Sequence, residues 1–257
     1  MTAPLANCCV VLVRPQIAAN VGAVARAMRN FGLTDLVLVE PAADPNDREA
    51  RRLATHGESI LDRAKRVSEF GEAVADCVLV AATSARTGGL FRAQTVGWPE
   101  QIMPAVVTAA GQGPVALVFG TESSGLTNEE VSRCHYLIHI PADADYPALN
   151  LAQSVVICLY ELRRACIQGE RRGVSPTCPE SPPVADFATQ EQMYAHLREA
   201  LEAIHFLYGE KADALMHALR HLIGRARPTE MEVKLLHGLA RQLEWAANEL
   251  SDRKKCP

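Results

Sequence analysis

The chain has 257 residues, 48% hydrophobic and 22% charged, which excludes wholesale disorder and allows one large α/β domain or a domain with a small companion. A formal net charge of −4 excludes a polycationic nucleic-acid coat, although not a local basic groove. No apolar run approaches the roughly 18 residues that cross a bilayer.

The first apolar run, Cys8–Val13, has no basic segment before it and is followed directly by Arg14 and Pro15, so it reads as a buried strand and not a secretory signal. Helical spacing follows at about 20–31. There Val21, Val24, Ala25, Met28 and Phe31 form an apolar stripe, with Gly22, Arg26 and Asn30 on the polar side. Asn20 is placed to cap this helix, and Gly22 leaves room beneath Arg26 for a ligand. Strands at Asp35–Val39, Cys77–Ala82, Val115–Phe119 and Tyr136–Ile140 alternate with helices at about 48–55, 70–76, 99–110, 127–133 and 148–167. Their near-continuous hydrophobicity suits strands covered on both faces, and the alternation predicts an α/β domain with a mainly parallel sheet.

Residues 169–188 hold four prolines and no apolar periodicity, the pattern of an extended linker. Beyond it the spacing predicts a unit of three helices over 189–257. Thr189-x-x-Gln192 and Thr229-x-x-Glu232 read as capping boxes there, as Thr127-x-x-Glu130 does earlier. Met193, Leu197, Leu201, Ile204 and Tyr208 recur at helical spacing, and so do Leu236, Leu239, Leu243, Ala246 and Leu250. The eight cysteines form no C-x-x-C pair and several sit in apolar runs, so buried free thiols in a reducing cytoplasm are expected. His217 and His221 lack a third metal ligand and read as a pair on a helix surface.

Three junctions follow strands. Pro15–Arg26 carries Asn20, Gly22 and Arg26. Thr83-Ser84-Ala85-Arg86-Thr87-Gly88-Gly89 ends a strand in hydroxylic and glycine residues, which suits a polar ligand at the carboxyl edge of a sheet, with Arg86 able to hold a phosphate. Gly120-Thr121-Glu122-Ser123-Ser124-Gly125-Leu126 precedes a helix start. Each could also be ordinary surface. G-x-G-x-x-G, the phosphate-binding G-x-x-x-x-G-K-[ST] and G-x-S-x-G are all absent.

The segments Asn20-x-Gly22-x-x-x-Arg26, Leu117-Val118-Phe119-Gly120-x-Glu122-x-x-Gly125-Leu126 and Leu149-Asn150-Leu151-Ala152-Gln153-Ser154-Val155 resemble the three motifs of the SPOUT-class, TrmH-like RNA 2′-O-ribose methyltransferases. The likeness covers residues 8 to about 166 and continues through Glu191-Gln192-x-Tyr194 and Arg220–Pro228, as in the bacterial branch that modifies tRNA anticodon loops. The resemblance implies an α/β SPOUT fold with a C-terminal trefoil knot over 1–168, and a small all-helical domain that binds tRNA and supports dimerisation. It implies S-adenosylmethionine as cofactor, lined by Thr83, Ser84, Ala85, Gly120, Glu122, Ile140, Pro147, Ala148 and Leu149. It also implies a homodimer with the active site at the subunit interface.

Of the residues that would act, Arg26 works near the neighbouring chain's cofactor, and Asn20 positions the hydroxyl or Arg26. Arg86 holds the RNA backbone, and Asn150 completes the set. The implied substrate is tRNA, at cytidine or uridine 32, with no DNA, metal or membrane involved. Arg163, Arg164, Arg171 and Arg172 would add phosphate contacts. Many relatives have serine immediately before the third motif's Leu-Asn; here that residue is Ala148, so no hydroxyl-dependent role can be assigned to it. A non-catalytic tRNA-binding protein of the same fold and a small-molecule nucleotide enzyme remain as alternatives.

Overall fold

The computed structural model describes residues 3–85, 95–171 and 183–253. The chain divides into two compact units, Met1–Glu180 and Ser181–Pro257. In the first, seven strands form one sheet: β1 Cys8–Val13, β2 Asp35–Val39, β3 Lys65–Val67, β4 Leu79–Thr83, β5 Thr95–Gly97, β6 Val115–Phe119 and β7 Tyr136–Ile138. Their order is β3-β2-β1-β6-β4-β7-β5, and every pairing is parallel. The helices are α1 Ala3–Ala6, α2 Ala18–Phe31, α3 Arg48–Ala54, α4 Glu58–Asp62, α5 Phe70–Val74, α6 Pro99–Ala110, α7 Asn128–Ser132 and α8 Leu151–Arg171. Val10–Val13, Val80–Ala82 and Val115–Phe119 are almost wholly excluded from solvent, as parallel strands between helical layers require.

The strands that sequence reading misses, β3 and β5, are the two edges. An edge strand has one neighbour and needs no apolar run; Lys65-Arg66-Val67 is mostly charged, and such edges deter pairing with other chains. Sequence also places β4 two residues early at Cys77 and extends β7 to Ile140, whereas the last two residues of that run enter the loop beyond. Topologically, β6 and β7 enter between strands laid down earlier in the chain.

Gly22 does not leave room for a ligand. A Cβ there would meet the Ala50 carbonyl oxygen at 2.1 Å, because α2 lies directly against the α3 backbone. Gly22→Ala is therefore expected to lower stability by about 3 kcal/mol, the upper end of overpacking costs. A urea midpoint within error of wild type would contradict this packing. Cys8, Cys77, Cys134, Cys158 and Cys166 are buried and take part in no disulfide. Burial, with neighbouring Cys166 and Cys9, pushes the Cys8 thiol up to about 12, and burial raises Cys158 as well, so both stay protonated and unreactive.

The second unit contains α9 Phe187–Ala203, α10 Ala212–Ala226 and α11 Glu230–Arg253. Thr229 and Glu232 form the expected capping box, with reciprocal backbone bonds of 2.8 and 3.3 Å. Thr189 does not cap α9: its N–H donates to the Asp186 carboxylate at 2.7 Å, so the helix starts three residues earlier. The core joins Met193, Tyr194, Leu197 and Ala200 to Val233 and Ala240, with Leu236 and Leu243 at its margin. The predicted stripes are partly displaced. Leu239 is 47% exposed, and Ile204 and Tyr208 lie beyond α9 on the surface. Within this unit Arg220 stacks 4.4 Å over the Tyr194 ring and pairs with Glu191, while the Tyr194 hydroxyl donates to the Arg220 carbonyl. The tail residues that carry the family likeness thus clasp α9 to α10.

His217 and His221 are buried, not on the helix surface, with rings 4.2 Å apart edge to face. Burial and then Arg220 lower the His217 pKa; burial, His196 and Arg241 lower that of His237. His237 Nδ1 lies 2.7 Å from His196 Nδ1, and the other nitrogen of His196 faces Glu244. A depressed folded pKa gives stability that is complete above the ordinary value of 6.5 and is lost as pH falls through the folded value. In a Trp98→Phe background, Trp245 emission should show a lower urea midpoint at pH about 5.5 than at about 7.5. Equal midpoints would exclude a histidine contribution.

Candidate active site

The carboxyl ends of the adjacent strands β6, β4 and β7 open onto a cavity of about 220 Å³. Three segments wall it: Thr83–Ala85 after β4, Phe119–Leu126 after β6, and Ile138 to Ser154 in part. Thr83, Ser84, Ala85, Gly120, Glu122, Ile140, Pro147, Ala148 and Leu149 all border it. Phe119, Thr121, Ser123, Ser124, Gly125, Leu126, Ile138, Leu151 and Ser154 also line it and are not assigned to the cofactor by the sequence reading. All but Ile138 stand within the second and third motif segments, so their place in the chain is the signal.

The turn after β6 is shaped by its glycines. Gly125 has φ +72°, and its N–H donates to the Thr121 carbonyl at 2.8 Å. A Cβ on Gly120 would lie 2.2 Å from the Gly125 carbonyl carbon and 2.3 Å from the Leu126 nitrogen. Only glycine lets this turn fold back on the strand end. Below it, Thr127 and Glu130 form the expected capping box of α7. Glu130 also accepts two bonds from the Arg14 guanidinium, at 2.6 and 2.9 Å, which ties the end of β1 to α7. Burial raises the Glu130 pKa, but Arg14 and the Thr127 N–H outweigh it and hold the carboxyl below its ordinary value.

Glu122, Asn20 and Asn150 form one hydrogen-bonded chain across the three motifs. The Glu122 carboxylate accepts from the Gln16 N–H at 2.9 Å, the Ile17 N–H at 3.2 Å and Asn20 Nδ2 at 2.9 Å. Asn20 Oδ1 accepts from Asn150 Nδ2 at 2.9 Å. The Asn150 oxygen in turn accepts the Ala152 N–H at 2.8 Å, which starts α8 at Leu151 and not at 148. Asn20 is therefore not a helix cap: α2 begins at Ala18, and Glu122 satisfies free amides at its entry from another segment. Asn20 bonds Glu122 and Asn150, and it does not bond Arg26.

Arg26 lies further along α2, exposed, and borders no part of this cavity. Arg86 and Arg172, and the side chain of Arg171, lie outside the described residues. Arg163 is half-buried, and Arg164 is exposed and paired with Glu161. Among the described lining residues the only ionisable group is the Glu122 carboxylate; no lysine or arginine is present. Such a wall suits a cation and disfavours a phosphate. Leu126, Ile138, Ile140 and Leu149 give an apolar slot, with the hydroxyls of Thr83, Ser84 and Ser154 beside it. An adenine ring, a ribose and a sulfonium together need that combination. Ala148 borders the cavity and has no hydroxyl, so at this position only the main chain can bond a ligand. Among the described residues no group of three or more His, Cys, Asp or Glu could hold a metal ion. No described helix is long and apolar enough to cross a membrane.

Residues 7–160 match the SpoU rRNA Methylase family, and residues 188–254 match the C-terminal domain of the tRNA methyltransferase TrmJ. The tRNA (cytidine/uridine-2′-O-)-methyltransferase TrmJ of Escherichia coli (strain K12) is 39% identical over 246 residues, covering 93% of this chain and 96% of its own. The crystal structure of TrmJ from Z. mobilis ZM4 is similar at a TM-score of 0.76 and 31% identity, over 92% of this chain and 98% of that one. An AdoMet-bound rRNA methyltransferase from Sinorhizobium meliloti has a TM-score of 0.50 at 26% identity, over 62% of this chain and 56% of its own.

Proposed function

The chain belongs to the SpoU rRNA methylase family and carries a TrmJ C-terminal domain, and from that premise we propose that it transfers a methyl group from S-adenosylmethionine to a ribose 2′-oxygen of tRNA. The observation that carries the reading is the cavity at the ends of β6, β4 and β7, with a carboxylate in its wall and no cation among its described lining. When bound there, S-adenosylmethionine supplies an electrophilic methyl on a good leaving group. Gly120–Leu126 and Pro147–Leu149 would hold the cofactor, with main-chain groups near the adenine edge.

The protein's task is then alignment, which in favourable cases is worth roughly 7–11 kcal/mol. Glu122, Asn20 and Asn150 lock the three motifs in one arrangement, so the walls cannot drift apart. A guanidinium is a poor general base, so Arg26 is not the group that takes the proton. It grips an RNA phosphate and steadies negative charge on the 2′-oxygen, while a phosphate oxygen or water takes the proton.

The finer features belong to the same proposal. Arg26 reaches the cavity of a second copy, since it does not border this one in its own chain. Exposed Ile17 on the way into α2, with Val156 and Tyr160 on α8, offers apolar surface for that partner. A trefoil knot accords with the insertion of β6 and β7 between earlier strands. Anticodon-loop position 32, a contribution of the helical unit to tRNA binding and a cytoplasmic location are what the sequence resemblance implies for the same reading.

Calorimetry with S-adenosylmethionine and with ATP separates the alternatives. One S-adenosylmethionine per chain, with ATP far weaker, is expected. Preference for ATP would favour the nucleotide enzyme, and binding of neither would favour a non-catalytic RNA binder.

A further inference from the structure

Tyr146 is 80% exposed, the highest value among the large apolar side chains of the described residues. A solitary exposed ring needs no explanation by itself. This one is distinguished by how it is held. The Asp143 carboxylate accepts the Asp145 N–H at 2.8 Å, and the Asp143 carbonyl accepts the Tyr146 N–H at 3.2 Å. Pro147 follows, fixing its own φ and restricting the backbone of Tyr146. The ring therefore stands on a braced turn and not on a loose tip.

Its position is equally specific. The next three residues, Pro147, Ala148 and Leu149, are cavity wall. Steps of about 3.8 Å per residue keep Tyr146 within roughly 11 Å of Leu149, the height of about three stacked bases. Charge narrows the partner. Residues 141–150 contain Asp143 and Asp145 and no lysine or arginine, so this rim repels phosphate and acidic membranes. An uncharged π-face meets no such objection. A ribose turned into a cavity for chemistry on its 2′-oxygen pulls its base out of register with its neighbours, and an aromatic side chain can replace the lost stacking.

We propose that Tyr146 is a stacking platform for a nucleobase at or beside the methylated nucleotide and sets the register of the RNA strand over the cavity. The inference rests on the tRNA ribose reading and adds a substrate-positioning residue to it.

Steady-state methylation of unmodified bulk tRNA by the full chain tests it, with Tyr146→Ala and Tyr146→Phe beside wild type. Tyr146→Ala should raise the KM for tRNA roughly tenfold or more, as loss of one base–aromatic stack does. Its kcat and its affinity for S-adenosylmethionine by calorimetry should stay within about twofold. Tyr146→Phe keeps the ring face and should behave as wild type. An unchanged KM in Tyr146→Ala overturns the platform alone, as does a Phe variant as impaired as Ala. Dissociation of Tyr146→Ala into monomers with an unchanged KM would assign the ring to a protein interface. No transfer by the wild-type chain would sink the tRNA reading itself, and the platform with it.

Discussion

Gly120→Ala should weaken S-adenosylmethionine binding by on the order of 100-fold in calorimetry. The added methyl group would sit 2.2 Å from one backbone atom and 2.3 Å from another, and neither can swing aside as a side-chain end would. The turn Thr121–Gly125 must move as a body, because a bridge and the 2.8 Å bond from Gly125 to Thr121 hold it together. That turn is cavity wall, and it also carries Glu122. Displacing it shifts the acceptor for Gln16, Ile17 and Asn20, so the damage passes to the first and third motifs. Gly169→Ala, on α8 away from the cavity and with nothing within 4 Å of the added Cβ, is the control and should bind normally. Affinity within a fewfold of wild type in Gly120→Ala would show that the turn plays no part in holding the ligand.

Arg26→Lys should lower turnover about 100-fold or more while leaving S-adenosylmethionine affinity nearly unchanged. Lysine keeps the charge but loses the planar fork that grips a phosphate through two bonds. Arg26 is exposed and away from its own cavity, so in the proposed dimer its damage should be repaired across subunits. Mixing Arg26→Ala with Gly120→Ala chains pairs an intact cavity with an intact arginine in one of the two sites of each mixed dimer. Random exchange makes about half the dimers mixed, so activity should recover to about a quarter of wild type. A mixture as inactive as its components would place the action of Arg26 within one chain.

The buried parts of this molecule were the legible ones. β1, β2 and β6 lie where their unbroken Val and Leu runs put them, since central parallel strands must be apolar on both faces. The edges β3 and β5 escaped notice because three residues with one neighbour leave no such imprint. Long-range partners were equally hidden. Nothing in Asn20, Glu122 and Asn150 taken singly says that they bond to one another, more than a hundred positions apart in the chain. Gly22 carried a signal that was misread: its missing side chain admits the α3 backbone and not a ligand. The sequence reading starts α8 near 148; the bonds of Asn150 with Gln153 and Ala152 start it at Leu151 instead, which leaves Pro147–Leu149 for the cavity.

Methyl transfer to tRNA can be read at the product itself. Bulk tRNA stripped of its modifications, incubated with the full chain and isotopically labelled S-adenosylmethionine, should yield labelled 2′-O-methylcytidine or 2′-O-methyluridine when digested and weighed as nucleosides. Label appearing on a base, or remaining entirely in the unreacted donor, would contradict the assignment of this chain as a ribose methyltransferase.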